Sequence, residues 1–316
     1  MYIGIDVGGT NTDAVLMDGD VLMGKIKNPT TPDVTSGIIS CINTLINSRP
    51  DVGQIDAVML GTTHFVNALL QRRELAPSAA LRLCLPATTM LPPLVDWPGD
   101  LKKSIGAHTY MARGGHEYDG REISSIDEKE LREIAKQMTA EGVRSVSICG
   151  VFSPVDGSHE KIAAEIIKSE TPDMNITLSS EIGRVGLLER ENAAMLNACL
   201  VEVAAKTVAA IRTAMASAGL NVPLFFSQND GTLMQSEFAS HYPVFTIASG
   251  PTNSMRGAAF LSGVLDAVII DIGGTSTDGG MLMHGFPREA AVSVDVAGVR
   301  TNFRMPDVFS IALGGG

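Results

Sequence analysis

A ten-residue pattern occurs twice in the sequence, at residues 4–13 and again 265 positions later at residues 269–278. Apolar runs precede and follow both copies, which predicts two hairpins, each a strand, a glycine turn and a second strand with polar residues at its tip. No other feature constrains the fold as strongly. The matched residues are Asp6 with Asp271, Gly8 with Gly273, Gly9 with Gly274, Thr10 with Thr275, Thr12 with Thr277, and Asp13 with Asp278.

The residue types at each tip suit phosphate and cation binding. Glycines allow positive φ and let a ligand approach the backbone closely. Threonine hydroxyls and free N–H groups can then hold phosphate oxygens, while an aspartate at the strand end holds a hydrated cation. A single Gly-Gly-Thr is as readily an ordinary hairpin turn, but two matched copies favour a ligand site. The pattern is not the dinucleotide fingerprint, because its glycines lead into another strand and not into a helix.

Composition and charge limit the classes of partner. The chain has 316 residues, enough for one large or two ordinary domains, and its 45% hydrophobic content is globular. A net charge of −11 argues against nucleic acid as a partner. We find no secretory signal and no apolar run approaching a membrane span, and therefore predict no membrane partner. Four widely spaced cysteines in apolar runs indicate buried free thiols and a cytoplasmic protein.

Strands and helices alternate along the chain, which predicts an α/β fold with a mainly parallel sheet. A proline-rich segment at residues 86–98, with the only tryptophan, is predicted to be a lid-like loop. The capping box at residues 125–128 predicts a helix start. Further strands are predicted at 21–26, 57–60, 146–151, 175–178 and 224–226, and helices after 30–33, after 61–63, at 156–168, at 189–218 and at 254–262.

The paired hairpins resemble the two phosphate loops of the actin, sugar-kinase and heat-shock-chaperone ATPase superfamily. More narrowly, the chain resembles the hydantoinase/oxoprolinase family, the ATP-dependent amidohydrolase A subunits. That resemblance implies an actin-like (ribonuclease H-like) α/β fold with two similar halves, 1–188 and 189–316, around a nucleotide cleft. The stretches that carry it are residues 61–70, 189–190 with 196–198, 227–231 and 249–251.

The resemblance implies ATP and Mg²⁺ as cofactors and assigns roles to individual residues. Asp6 and Asp271 are the predicted catalytic and cation-linked carboxylates, and Asp230 is a predicted substrate contact or general base. Thr62, Thr63 and Asn67 are predicted to meet the substrate, although Gly-Thr-Thr before a helix is equally an ordinary N-cap. The predicted nucleotide-binding residues are Gly8, Gly9, Thr10, Thr12, Asp13, Gly273, Gly274, Thr275, Thr277, Asp278, Gly250, Gly314 and Gly315. Asp13 and Asp278 could instead brace their hairpins through backbone hydrogen bonds.

Two departures from the family pattern indicate a divergent branch. The family usually has Ser-Gly-Pro-Ala-Gly-Gly where this chain has Ser-Gly-Pro-Thr-Asn-Ser at residues 249–254, and usually has a threonine where this chain has Ala193. Losing glycines beside a nucleotide removes close backbone approach. A hydantoin substrate is therefore not assumed.

Family members are longer than this chain, so we expect the second half to be incomplete and residues 314–316 to begin an adenosine-binding segment. An open sheet edge would then be free to pair with another copy in a homo-oligomer.

The expected function is an ATP-dependent hydrolase, or its ATP-binding subunit, acting on a small cyclic amide such as a hydantoin or oxoproline, often with a second, B-type subunit. One alternative is a small-molecule kinase of the same fold, which the sequence does not separate from the hydrolase. The other is a non-catalytic ATP-driven switch that closes on a partner protein. The sequence shows no obvious exposed apolar helix for such a partner.

Overall fold

A computed structural model describes residues 1–30, 34–48, 53–273, 276–290 and 293–315. The chain forms two compact units. The first unit comprises Met1–Asn67, Ala204–Ala291 and Arg304–Gly316, and the second comprises Ala68–Val203 and Val292–Phe303. Both predicted hairpins therefore belong to the first unit.

The strands alternate with helices along most of the chain. They are β1 (Tyr2–Val7), β2 (Asn11–Asp18), β3 (Val21–Pro29), β4 (Ala57–Thr62), β5 (Ser78–Leu85), β6 (His108–Arg113), β7 (Ser145–Gly150), β8 (Asn175–Leu178), β9 (Leu224–Ser227), β10 (Leu233–Gln235), β11 (Ala267–Ile272), β12 (Thr277–Met283), β13 (Phe286–Pro287), β14 (Val294–Val296), β15 (Val299–Thr301) and β16 (Val308–Ile311).

The helices are α1 (Val34–Asn47), α2 (His64–Gln71), α3 (Gly99–Ser104), α4 (Glu128–Ala140), α5 (Ser158–Glu170), α6 (Leu187–Ser217), α7 (Ser236–His241) and α8 (Ser249–Ser262). Short 3₁₀ turns lie at Ser179–Glu181 and Pro243–Thr246.

The main sheet of the first unit is mixed, with strand order β10-β9-β4-β1-β2-β3. Strands β1, β4 and β9 are parallel, and β2 and β3 extend the sheet as an antiparallel meander. Alternate residues of β1 are buried at Ile3, Ile5 and Val7, as a strand with one core-facing side requires. The predicted apolar face of α1 is likewise buried, at Ile38, Ile42 and Leu45.

The two hairpins share not only a sequence pattern but also a register. Asp6 pairs with Asp13 in β1–β2, and Asp271 pairs with Asp278 in β11–β12. The turns close alike, since the N–H of Gly8 donates to the carbonyl of Asn11 at 3.0 Å and that of Gly273 to Ser276 at 2.9 Å. The predicted strand–turn–strand structure is confirmed at both sites.

One of the two predicted reasons for the turn glycines, positive φ, is wrong for the three that the structure describes. Gly8, Gly9 and Gly273 all lie outside the left-handed region. A Cβ on Gly8 or Gly273 would instead stand 3.2 or 3.3 Å from the carbonyl oxygen that closes its own turn. Crowding by the turn, and not positive φ, favours glycine there.

The second hairpin belongs to a separate four-stranded sheet in which β12 pairs with β11, β13 and β16. One face of this sheet packs on α8 through Met255, Ala259 and Leu282. The opposite face of β11 is open, with Val268, Ile270 and Ile272 exposed by 65%, 52% and 68%. Three apolar side chains in a row form an unusually exposed strand face.

The second unit is built on the all-parallel sheet β6-β5-β7-β8. Helices α4 and α5 cover it, and the predicted inner face of α4 is buried at Leu131, Ile134, Ala135 and Met138. The predicted cap is wrong, because Asp127 and not Ser125 caps α4, accepting the N–H of Glu130 at 3.1 Å. A carboxylate directly before the first turn satisfies a free N–H and also suits the helix dipole.

Helix α6 passes from the second unit into the first at Val203–Ala204. The predicted division at 188/189 falls in the first turn of this helix. The boundaries of the two compact units therefore differ from those of the two predicted halves. Helix α8 begins at Ser249, five residues before the predicted start, because Pro251 is tolerated in a first helical turn.

Among the described residues, α6 is long and apolar enough to cross a membrane by length and composition, contrary to the expectation that no run would be. Its apolar window is 61% buried inside the fold, as in the core helix of a globular protein.

A buried ion pair joins β5 to α6 in the second unit. The Arg82 guanidinium donates from Nε to Glu191 Oε2 at 2.7 Å, and both side chains are almost fully buried. Burial raises the pKa of the Glu191 carboxyl, against the opposing effect of Arg82. The neighbouring Asn192 accepts the indole N–H of Trp97 at 2.7 Å, so the predicted lid-like loop is anchored at its end.

Arg82→Met should destabilise the second unit by about 3–5 kcal/mol, because it leaves the Glu191 carboxylate buried without its partner. The double variant Arg82→Met/Glu191→Leu should recover most of that loss, since neither partner of the pair is then left as an unpaired buried charge. Urea unfolding followed by the fluorescence of Trp97, the only tryptophan, measures both.

Lys136→Met is the control for this prediction, because Lys136 forms an exposed pair with Glu133 at 3.0 Å. Its change should stay within about 0.5 kcal/mol. A double variant as unstable as Arg82→Met would contradict the account of the buried pair.

Candidate functional site

Two consecutive residues of helix α8 donate hydrogen bonds to the aspartates of the two hairpins. Asn253 donates from Nδ2 to Asp6 Oδ1 at 3.4 Å, and Ser254 donates from Oγ to Asp271 Oδ2 at 2.6 Å. Asp6 ends β1 and Asp271 ends β11, so each carboxylate leaves a different sheet. The structure therefore brings together the two residues that the repeat singled out, and one helix connects them.

Gly61 makes the contact on the first hairpin possible. It lies on β4 directly opposite Asp6 in the parallel ladder. A Cβ on Gly61 would stand 2.4 Å from both Asp6 Oδ1 and Asn253 Nδ2, far inside van der Waals distance. A side chain at this position would occupy the space in which the aspartate and the asparagine meet.

Burial raises the pKa of the Asp6 carboxyl, and the negative charges of Asp13 and Asp271 raise it further. The hydrogen bond from Asn253 lowers the pKa and so opposes these effects. Asp13 itself faces Lys27 at 3.5 Å on the surface. The site therefore concentrates negative charge whose repulsion a bound cation would relieve.

The predicted phosphate hydroxyls divide into exposed and buried ones. Thr10 stands at the exposed tip of the first hairpin beside Gly9. Thr12 is buried, and its hydroxyl lies 3.2 Å from that of Thr30. Thr277 is also buried and donates to the carbonyl of Leu313. The described geometry thus directs Thr12 and Thr277 to protein partners and leaves Thr10 accessible, while Gly274 and Thr275 lie outside the described residues.

A small cavity of about 10 Å³ adjoins the second hairpin, about the room that one water molecule needs. Asp271, Asp278 and Ser254 contribute polar groups to its wall. Gly315 lies beside the same hairpin, because its N–H donates to the carbonyl of Gly273 at 2.9 Å. The predicted residues Asp278, Gly314 and Gly315 are thus placed near the second turn.

The predicted substrate residues at the end of β4 are engaged within the fold. Thr62 accepts the N–H of His64, two residues further on, at 3.1 Å, which is a local turn between β4 and α2. Asn67 donates to the Thr63 hydroxyl at 3.2 Å, and the Thr63 N–H donates to the carbonyl of Val7 at 3.3 Å. Both the capping alternative and a substrate role for Thr62, Thr63 and Asn67 stay predictions.

Two other predicted residues lie in local turns of the first unit. Asp230 accepts both the N–H and the hydroxyl of Thr232, at 2.9 and 2.6 Å, and so closes its own turn. Gly250 is in the first turn of α8, next to Ser249, whose buried hydroxyl has no partner among the described residues. A role for Asp230 as base and for Gly250 in nucleotide binding stays a prediction.

Sequence reasoning missed Gly61, Asn253 and Ser254 as members of the site. Gly61 was noted only as part of a strand-to-helix turn. Asn253 and Ser254 stood in the sequence as departures from a glycine-rich pattern, and polar residues in place of glycines beside a ligand-binding hairpin were the available signal. Asn253 lies 247 residues from Asp6, and Ser254 lies 17 residues from Asp271, so no local sequence pattern predicts either contact.

The carboxylates of Asp6 and Asp271 suit a magnesium ion that keeps most of its water ligands. Among the described residues, no three histidine, cysteine, aspartate or glutamate side chains are grouped closely enough to hold a metal ion. Mg²⁺ does not need such a group, since it usually takes one or two carboxylates and fills its octahedron with waters and phosphate oxygens. Asp6 and Asp271 fit that requirement.

Two family models together match nearly the whole chain. Residues 2–171 match the family model of the hydantoinase/oxoprolinase N-terminal region, and residues 190–316 match the hydantoinase/oxoprolinase model. The caprolactamase subunit alpha of Pseudomonas jessenii is 24% identical over 340 residues, which are 99% of this chain and 48% of that protein. The 5-oxoprolinase of Saccharomyces cerevisiae is 28% identical over 201 residues, which are 62% of this chain and 15% of that protein.

Among solved structures, the ATP-dependent caprolactamase from Pseudomonas jessenii superposes with a TM-score of 0.79 at 22% sequence identity. The match covers 100% of this chain and 48% of that one. This likeness confirms the predicted fold class. The chain spans about half the length of the caprolactamase subunit it matches.

Gly61→Ala should destabilise the first unit by about 1–3 kcal/mol, because the added methyl group forces Asp6 and Asn253 apart in a packed site. Gly257→Ala is the matched control: it lies inside α8, and a Cβ there meets nothing within 4 Å. That variant should be stabilised by about 0.5–1 kcal/mol. Thermal denaturation compares the two, and equal stability of both variants would show that the space at Gly61 is not constrained.

Proposed function

This chain belongs to the hydantoinase/oxoprolinase family, and on that premise we propose that it is an ATP-dependent hydrolase, or its ATP-binding part, acting on a small cyclic amide. The observation that carries the proposal is the pair of matched hairpins whose aspartates meet at α8. Two turns built alike and presenting carboxylates to one place suit a nucleotide triphosphate with its cation.

The named relatives support a cyclic amide as the substrate class. Caprolactamase and 5-oxoprolinase both take their names from cyclic amides. Amide ring opening is slow without activation, and transfer of the γ-phosphoryl group of ATP to the amide oxygen would make the carbonyl carbon more electrophilic. Attack of one water would then break the C–N bond with the ring nitrogen as the leaving group and leave an acyl phosphate, which a second water would hydrolyse. The net reaction consumes ATP, the cyclic amide and two waters, and yields ADP, phosphate and the ring-opened acid.

The residues of this chain would contribute electrostatics and position. Asp6 and Asp271 would hold the hydrated Mg²⁺, with Ser254 and Asn253 fixing their orientation. The exposed tip at Gly9 and Thr10 would present N–H and hydroxyl donors to phosphate oxygens. Donors fixed before the substrate arrives need no reorganisation as charge develops, which is how a preorganised site stabilises a transferring phosphoryl group.

A second subunit and a second copy of this chain are the proposed protein partners. The caprolactamase relative is named as a subunit, which supports a partner subunit for this chain. The exposed face of β11 supports self-association. The four buried free cysteines support our placement of the protein in the cytoplasm, where thiols stay reduced.

The test of the proposed function is phosphate release from Mg-ATP by this chain together with its partner subunit, in the presence of hydantoin, 5-oxoproline or caprolactam in turn. We expect release that depends on one of the amides, together with its ring-opened product. A phosphorylated product that keeps its ring would identify a kinase. Nucleotide binding without amide-dependent release would identify a switch.

Asp271→Ala should lower amide-dependent phosphate release by at least about a hundredfold. The cation loses a carboxylate ligand, so the negative charge on the transferring phosphoryl group is no longer neutralised. Stability should change by less than about 1 kcal/mol, because a half-exposed residue at a strand end adds little to the core.

Asp266→Ala is the control for Asp271→Ala. It lies just before the same strand and accepts only the N–H of His284 at 3.0 Å on the surface. Its phosphate release should equal that of the wild type. Full activity in a folded Asp271→Ala protein would remove this residue from the mechanism.

A further inference from the structure

The contacts of α8 with the two hairpins use neighbouring residues that point in different directions. Successive residues of an α-helix are about 100° apart around its axis. Asn253 can therefore face β1 while Ser254 faces β11, with no distortion of the helix. The distance between the two contacts is then set by the rigid backbone of one helical turn.

We propose that Asn253 and Ser254 are positioning residues that hold Asp6 and Asp271 at a fixed separation, so that both hairpins present their carboxylates to the same cation. The inference rests on the proposed function. It concerns residues 253 and 254, at which this chain has an amide donor and a hydroxyl donor.

The chemistry of the two donors supports a positioning role. An amide N–H and a hydroxyl are neutral, so they orient a carboxylate and leave its charge available. An arginine or lysine in their place would neutralise it. Lys27 pairs with Asp13 on the surface, and Arg256 of α8 donates to the carbonyl of Gly285. Asn253 and Ser254 thus orient the two aspartates without neutralising them.

The environment of Asp6 shows what Asn253 adds. Asp13 stands opposite Asp6 across the β1–β2 ladder, and Gly61 of β4 leaves the space in which Asp6 Oδ1 and Asn253 Nδ2 meet. Asn253 donates to that oxygen from a separate element, α8, at 3.4 Å. The direction of the Asp6 carboxylate is therefore set by a donor outside its own hairpin.

The first experiment measures Mn²⁺ binding to the full chain in the presence of ATP by electron paramagnetic resonance in variants of Asn253. Asn253→Leu keeps the approximate volume and removes the donor to Asp6, so Mn²⁺ binding should weaken about tenfold, the size expected for a hydrogen bond to a charged group. Wild-type Mn²⁺ binding by a folded Asn253→Leu protein would overturn the role of Asn253.

The second experiment measures Mn²⁺ binding to the full chain in the presence of ATP by electron paramagnetic resonance. Ser254→Ala should weaken Mn²⁺ binding about tenfold, the size expected for a hydrogen bond to a charged group. Ser254→Thr keeps the hydroxyl and should restore wild-type binding. If Ser254→Ala binds Mn²⁺ as well as the wild type, Ser254 does not position Asp271.

Ser262→Ala controls for the loss of a serine from the same helix. Its hydroxyl donates to the carbonyl of Ala258 at the far end of α8 and touches neither aspartate. Its Mn²⁺ binding should match the wild type. A wild-type chain that binds no Mn²⁺ with ATP would defeat the proposed function, while crystal structures of Asn253→Leu and Ser254→Ala would still decide whether these two donors hold the carboxylates of Asp6 and Asp271.

Discussion

Electrostatic repulsion between aspartates is the constraint on which the first unit depends. Asp6 and Asp271 lie near the ends of strands of two different sheets, and the negative charge of Asp271 raises the pKa of Asp6. Each also stands opposite a further aspartate in its own hairpin. Like charges directly across a ladder are destabilising. The fold tolerates them because α8 supplies one neutral donor to each, at Asn253 and Ser254, and because Gly61 leaves room for the first of these contacts.

The second unit handles charge in the opposite way, by burying it in complete networks. Glu160 has no exposed surface and accepts from Gly150, Ser179 and Ser180 at 2.6 to 3.0 Å. Arg190 donates to the Ser179 hydroxyl at 3.0 Å and to the carbonyl of Gly150 at 2.6 Å. These bonds fix the start of α6 against β7. Full pairing makes such a network rigid, whereas the half-paired aspartates of the first unit remain available to a ligand.

Much of the fold follows from local patterns. Helical spacing in α1 and α4 places their core residues correctly, since a helix repeats every 3.6 residues. The errors have physical causes that act at short range. Asp127 competes with Ser125 for the cap of α4, and a proline at Pro251 does not delay α8, because a first turn needs no N–H from that residue.

The sequence by itself determined that two hairpins of the same kind exist, where they begin, and that Asp6 and Asp271 are equivalent. The repeat of the same residue types at a constant offset is sufficient to infer this, and no knowledge of tertiary contacts is needed. Tertiary structure alone decided which hydroxyls face the core, as for Thr12 and Thr277, and which residues hold the aspartates. Those outcomes depend on where α8 lies against the two strands, and packing between elements far apart in the chain sets that position.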